Sequence, residues 1–225
     1  MKRYRILIST LTALLIGWLI PAEAQPIPSS AVACHFVIRA YLNIGADGQG
    51  VAEVAGYITD IPGISDSLFN GSGSPSEKTA FLTFRSDLVT LTPLAPNGVV
   101  NLERVSAGTF NIYFNPVPFG DWGDPNTFSD GQAFPGNPIA HFMRRQSLFY
   151  QTDTLSRHDV TETLEFSRSF VLNTHSYNLK DLMPGGFTLY ETYSNTPVSG
   201  ITGFPIVLPG AGNCAAVAGG GQNEQ

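Results

Sequence analysis

The sequence predicts an all-β protein: a single antiparallel barrel, with a two-sheet β-sandwich as the alternative. Three observations point there. Short runs of alternating apolar and polar side chains recur along the chain, separated by clusters of Gly, Pro, Asn and Asp. Beyond the N-terminal leader, no segment of twelve or more residues carries helical periodicity. The two cysteines, Cys34 and Cys214, stand near opposite ends of the chain, so a bridge between them sets the first and last strands side by side. Closure removes exposed sheet edges, which favours the barrel, and about nine or ten strands are expected.

Residues 1–24 read as a cleaved signal peptide. Lys2, Arg3 and Arg5 form a positive head, Ile6 to Ile20 is a mostly apolar run, and Ala22-Glu23-Ala24 is a small-x-small cleavage site. The rivals are a retained N-terminal anchor and lipidation at Cys34, where Ala31-Val32-Ala33-Cys34 loosely resembles a lipobox. A polar gap, Glu23 to Ser30, separates that cysteine from the apolar run, and lipidation leaves Cys214 without a partner. The expected organisation is a flexible lead-in over 25–30, one β domain over 31–218 and a disordered tail over 219–225. Its expected location is secreted or periplasmic.

Removing the leader leaves nine of the 12 basic residues and 17 of the 18 acidic ones, a formal charge of −8. That balance argues against nucleic acid and anionic membrane surfaces, which need clustered Lys and Arg. No membrane span is expected after cleavage. In an exported chain the cysteine pair reads as a disulfide, worth roughly 5 kcal/mol on the loop-entropy model.

Taken in order, His35 to Ile44 is a strand with Phe36, Ile38, Ala40, Leu42 and Ile44 on one face. The glycine-rich turn 45–50 leads to a hairpin partner, Val51 to Ile58. Residues 60–77 form a long polar loop containing the glycosylation sequon Asn70-Gly71-Ser72. Thr79 to Leu91 slips phase around Arg85-Ser86-Asp87, which reads as a β-bulge. Asn97-Gly98 is a hairpin turn feeding Val99 to Val105, and Thr109 to Phe114 alternates strictly. After the loop 115–126 come strands Ile139 to Arg144 and Ser147 to Thr152. Asp159 to Leu172 sets Val160, Leu164, Phe166, Phe170 and Leu172 on one face with Glu162 and Arg168. Asn173 to Ser176 is a turn, Tyr177 to Met183 allows one helical turn, and Phe187 to Tyr193 and Ile201 to Leu208 close the fold.

The usual catalytic signatures are missing: no GxSxG elbow, HExxH, phosphate loop or dinucleotide fingerprint. A conventional hydrolase triad is not expected from the sequence, although triads assemble in space. No cofactor and no metal are expected. Asp121, Asp124, Asn126 and Asp130 offer oxygen ligands, but turns select the same residues. Trp122, with Phe119 near it in sequence, reads as a plug at the barrel end, with a ligand platform as the alternative. Arg157-His158-Asp159 reads as a turn.

Polar residues on apolar faces are the candidates for acid or base chemistry: Glu162, Glu191, His141 and Arg168. A charge in a packed core must be paired, at the rim or facing a wet cavity. Glu162 and Arg168 lie roughly 20 Å apart along one strand and cannot pair directly. A barrel with a pocket resembles lipocalin-like and allene-oxide-cyclase-like folds in architecture, which assigns no function. The expected role is a binding or interaction module for a small apolar ligand or a surface partner. The alternatives are a cofactor-free cyclase or isomerase working in a polar barrel interior, and a structural extracellular protein.

Overall fold

The computed structural model describes residues 34–71, 73–129, 136–145 and 147–217. The expected leader, lead-in and tail, together with Asp130, lie outside the described residues. Thirteen strands follow in order: β1 (Cys34–Ile44), β2 (Gly50–Asp60), β3 (Leu82–Ser86), β4 (Val89–Asn97), β5 (Val100–Val105), β6 (Gly108–Phe114), β7 (Ala140–Arg144), β8 (Ser147–Gln151), β9 (Leu155–Ser167), β10 (Phe170–Leu172), β11 (His175–Tyr177), β12 (Phe187–Ser194) and β13 (Ile206–Ala216). A one-turn helix, α1 (Leu179–Leu182), lies between β11 and β12.

Eight strands close a ring in the order β1-β13-β12-β9-β7-β6-β3-β2, with β2 pairing back to β1. The barrel is antiparallel throughout, and strands that follow one another in sequence are neighbours in the ring. β4, β5 and β8 continue β3, β6 and β7 after short breaks. Thus β2 pairs with β3 through Ala55–Tyr57 and with β4 through Gly50–Ala52. Likewise β9 meets β7 through Glu162–Ser167 and β8 through Ser156–Asp159. The expected nine or ten strands are therefore eight long ones, three of them interrupted, plus the small β10–β11 hairpin.

The closing seam is β1 against β13, with Cys34 directly opposite Cys214 in register. Their disulfide spans 180 residues at a Cα–Cα distance of 5.1 Å. Ile201 to Leu208 was too early for the last strand: β13 begins at Ile206 and runs through Cys214, and Ile201 forms only a bridge to Phe204. Two inward glycines on β13 make room for rings. A Cβ on Gly212 would meet Phe36 at 2.6 Å, and one on Gly210 would meet Tyr193 at 2.7 Å.

All three interruptions lie at one level of the barrel, and each inserts one residue into the alternation. Inward positions run Ser86 then Val89, Val105 then Gly108, and Arg144 then Ser147, each pair three apart instead of two. The slip around Arg85-Ser86-Asp87 is the first of these; Ser86 Oγ takes the Val54 amide at 3.0 Å where the ladder is broken. A bulge re-aims side chains. Here it turns both Arg144 and Ser147 into the interior, where unbroken alternation would send one of them out.

Half of the barrel is filled by phenyl rings. Phe84 stacks on Phe110 at 5.0 Å, Phe110 meets Phe187 edge-on at 5.7 Å, and Phe142 tilts on Phe187 at 4.5 Å. Leu179 and Met183, at either end of the α1 turn, pack into the same apolar cluster. Each buried ring contributes about 2 to 3 kcal/mol. A second, smaller cluster lies outside the wall, with Tyr41, Tyr57 and Val207 of the barrel covered by loop residues Phe128 and Trp122. Beside it, Arg85 Nη2 donates to the buried carboxylate of Glu53 at 2.8 Å.

Candidate functional site

The other half of the interior is polar. Opposed register positions bring Glu191 of β12 to His158 of β9, and Glu162 of β9 to Arg144 of β7. Arg144 Nε donates to Glu162 Oε1 at 2.8 Å, with both side chains buried. His158 Nδ1 and Glu191 Oε2 are 2.7 Å apart, and the Tyr193 hydroxyl donates to the same oxygen at 2.8 Å. Ser147 Oγ lies 2.6 Å from His158 Nε2.

The Glu191 carboxylate orients the imidazole. Burial works to raise the Glu191 carboxyl, but His158, Arg144 and Tyr193 outweigh it and hold it below its usual value. An ionised carboxylate only accepts. His158 Nδ1 therefore carries the proton toward Glu191, and in the neutral imidazole the Nε2 lone pair faces Ser147 Oγ. Tyr193 stays protonated, because burial and the neighbouring Glu191 push its phenol well above the usual value.

Glu162 behaves differently. Burial raises its carboxyl to about 7 against the opposing pull of Arg144. Arg144 Nη2, Glu162 Oε2 and Glu191 Oε1 are buried without a hydrogen-bond partner.

A cavity of about 30 Å³ opens beside this cluster. Ala40, Ala52, Val54 and Val89 wall one side; Arg144, His158 and Tyr193 form the other. That volume has room for about two waters or a group of similar size.

The sequence candidates divide between this interior and the outside. Glu162 and Glu191 are in the cluster and fully buried. Glu162 is not a rim residue, and its partner is Arg144. Arg168 lies beyond the end of β9, with its guanidinium 4.9 Å from the Phe166 ring, and is not on the interior face. Between His141 and Phe142 the register shifts, so Phe166 is exposed while Leu164 points inward, and Phe170 and Leu172 belong to the separate hairpin. His141 faces outward, because Ala140, Phe142 and Arg144 take the interior; its Nδ1 lies 2.7 Å from Asn111 Oδ1.

Trp122 does not plug a barrel end. It packs on the outer wall against Phe128 at 4.7 Å and Tyr57 at 5.9 Å, under the Arg39 guanidinium at 4.5 Å. Phe119 is half-buried in the same loop. Asp121 Oδ1 accepts from Gly123 N at 2.8 Å, Asp124 Oδ1 accepts from Asn126 N at 3.0 Å, and Asn126 Oδ1 accepts from Arg85 at 2.7 Å. Those oxygens are engaged in holding the turn.

His158, Ser147, Arg144 and Tyr193 are the residues that sequence reasoning passed over. Arg157-His158-Asp159 is not a turn but part of β9, with Arg157 and Asp159 paired outside and His158 inside. The available signal was parity: Ser156, His158, Val160, Glu162 and Leu164 alternate as one inward face. The chain matches no protein-family model, no curated protein and no solved structure.

Proposed function

We propose that this is an exported barrel that binds a small, mostly apolar molecule carrying one neutral oxygen acceptor, such as a carbonyl. The observation carrying this is Arg144: wholly buried, lining the cavity, with Nη2 lacking an acceptor. A buried donor without a partner costs about 1 to 3 kcal/mol, which a bound oxygen recovers. The opposite wall is mostly aliphatic, with Ser86 and Glu53 among its residues, which suits a largely apolar remainder. A carboxylate fits less well, because Glu162 and Glu191 already face the single arginine. Export is supported by the leader read from residues 1–24 and by the disulfide, which suits an oxidising compartment. No helix among the described residues is long and apolar enough to cross a membrane.

Methyl NMR of the protein tests this. Short-chain ketones and esters are expected to shift the Ala40, Ala52, Val54 and Val89 methyls, and alkanes of equal length to do so more weakly. Ala52→Phe, which fills the cavity, removes the shifts. If no carbonyl compound moves these methyls more than its alkane does, the reading fails.

One observation favours the alternative, a cofactor-free cyclase or isomerase. A carboxyl at about 7, as burial sets for Glu162, is suited to exchanging protons near neutrality. That reading keeps Glu162 and Glu191 as acid and base and gives up His141 and Arg168.

A further inference from the structure

We propose that Ser147, His158 and Glu191 form a nucleophile, base and orienting group that hydrolyses short-chain neutral esters in the barrel interior. The inference rests on the preceding one, since the interior must admit a small carbonyl compound.

The geometry is that of an activated hydroxyl. Ser147 Oγ and His158 Nε2 are 2.6 Å apart, and His158 Nδ1 and Glu191 Oε2 are 2.7 Å apart. Both distances fall within the range a nucleophile–base–orienter chain requires. With Nδ1–H donated to Glu191, the neutral imidazole turns its Nε2 lone pair toward the hydroxyl. A purely structural serine needs only some acceptor for its proton. It does not call for an imidazole whose far nitrogen is held by a buried carboxylate, itself fixed by the Tyr193 hydroxyl. His158 also lines the cavity, as does Arg144, whose unpartnered Nη2 supplies a donor for a carbonyl oxygen that gains negative charge.

Cavity size sets the substrate class. About 30 Å³ beside His158, the hydrogen-bond partner of Ser147, takes an acetyl group and little more, so the acyl side of the ester is short. The Ser147 oxygen adds to the acyl carbon while His158 Nε2 takes the hydroxyl proton. The ester C–O bond breaks, and the alcohol leaves with the proton from His158. Water then adds to the acyl-serine with the same imidazole as base. The carboxylic acid departs and Ser147 regains its hydrogen.

The test is 4-nitrophenyl acetate with the whole mature protein. Nitrophenolate release and peptide mass mapping after an acid quench are followed, with far-UV circular dichroism as the check on folding. An acetyl adduct on Ser147 is expected, and Ser147→Ala should lose the adduct and at least ~100-fold in kcat/KM. His158→Gln should match that loss, and Glu191→Gln, a positioning change, should displace the pH profile of kcat. Acetylation elsewhere, or unchanged turnover in folded Ser147→Ala, overturns the proposal. No turnover at all also overturns it, and the methyl shifts with unreacted ketones then decide whether the binding reading survives.

Discussion

His158 and Glu191 occupy directly opposed positions on β9 and β12, and their side chains meet inside the barrel at 2.7 Å. The pair is held from both sides, by Ser147 on the imidazole and by Tyr193 on the carboxylate. Removing the carboxylate strands two buried donors, the His158 Nδ1–H and the Tyr193 hydroxyl. Glu191→Ala is expected to destabilise the protein by about 3 to 5 kcal/mol. Glu191→Gln retains an acceptor oxygen and costs less, about 1 to 2 kcal/mol. Urea denaturation measures both, and equal losses would show that hydrogen bonding does not set the cost.

Arg144 and Glu162 supply a second comparison. Above pH 7, where Glu162 is ionised, Arg144→Met leaves its carboxylate buried with its one cation gone, at a cost of about 3 to 5 kcal/mol. Arg144→Met with Glu162→Leu removes both charges, and the pair together should cost less than the single change. A double-mutant cycle in urea reads the difference. Additive losses would contradict the 2.8 Å pairing.

Stability should depend on pH through Glu162. Its ordinary value is 4.5, and burial raises it to about 7 in the folded chain despite Arg144. Between those values the folded protein keeps a proton that the unfolded chain has released. Stability therefore falls as pH rises across that window, by about 3 kcal/mol. Glu103, also pushed up by burial, adds to the same slope. Glu191 has the opposite sign: burial opposes its ionisation, but His158 and Arg144 outweigh it, so its contribution is complete above 4.5 and is lost on acidification below that. Urea midpoints at roughly pH 5 and pH 7 should show the decline, and Glu162→Gln should flatten it to what Glu103 leaves. Wild-type stability that rises over this interval would contradict the assignment.

The disulfide should stabilise the barrel without being needed to close it. β1 and β13 stay paired from Cys34 to Leu42 by their ladder. Cys34→Ala with Cys214→Ala is expected to keep the far-UV spectrum and lose about 2 to 5 kcal/mol. A spectrum that collapses in the absence of denaturant would mean the seam depends on sulfur.

Much of the fold was legible because alternation is a local property. Phe36 through Leu42, and Phe110 through Phe114, face the core as their spacing says, since neighbouring side chains on a strand must point to opposite faces. The Asn97-Gly98 turn was legible too, with Gly98 at φ 62°, a value that glycine takes without penalty. Half of the site could be read the same way, as Glu162 and Glu191 stand out against apolar neighbours. Its other half could not. Whether Ser147 shares a face with Arg144 depends on one extra residue between them, and such an extra residue has no compositional mark.

By itself the sequence determined the all-β class, the antiparallel pairing of its strands, the cysteine staple and the faces of the unbroken strands. Each follows from side-chain period, turn chemistry or residue count. Only the tertiary structure decided that the sheet closes at eight strands, with three aligned bulges and one polar half. The physical reason is that closure and register are relations between strands far apart in the chain. A one-residue shift moves a side chain to the other face, and that shift decided which of Arg144, Ser147, His158 and Glu191 would meet.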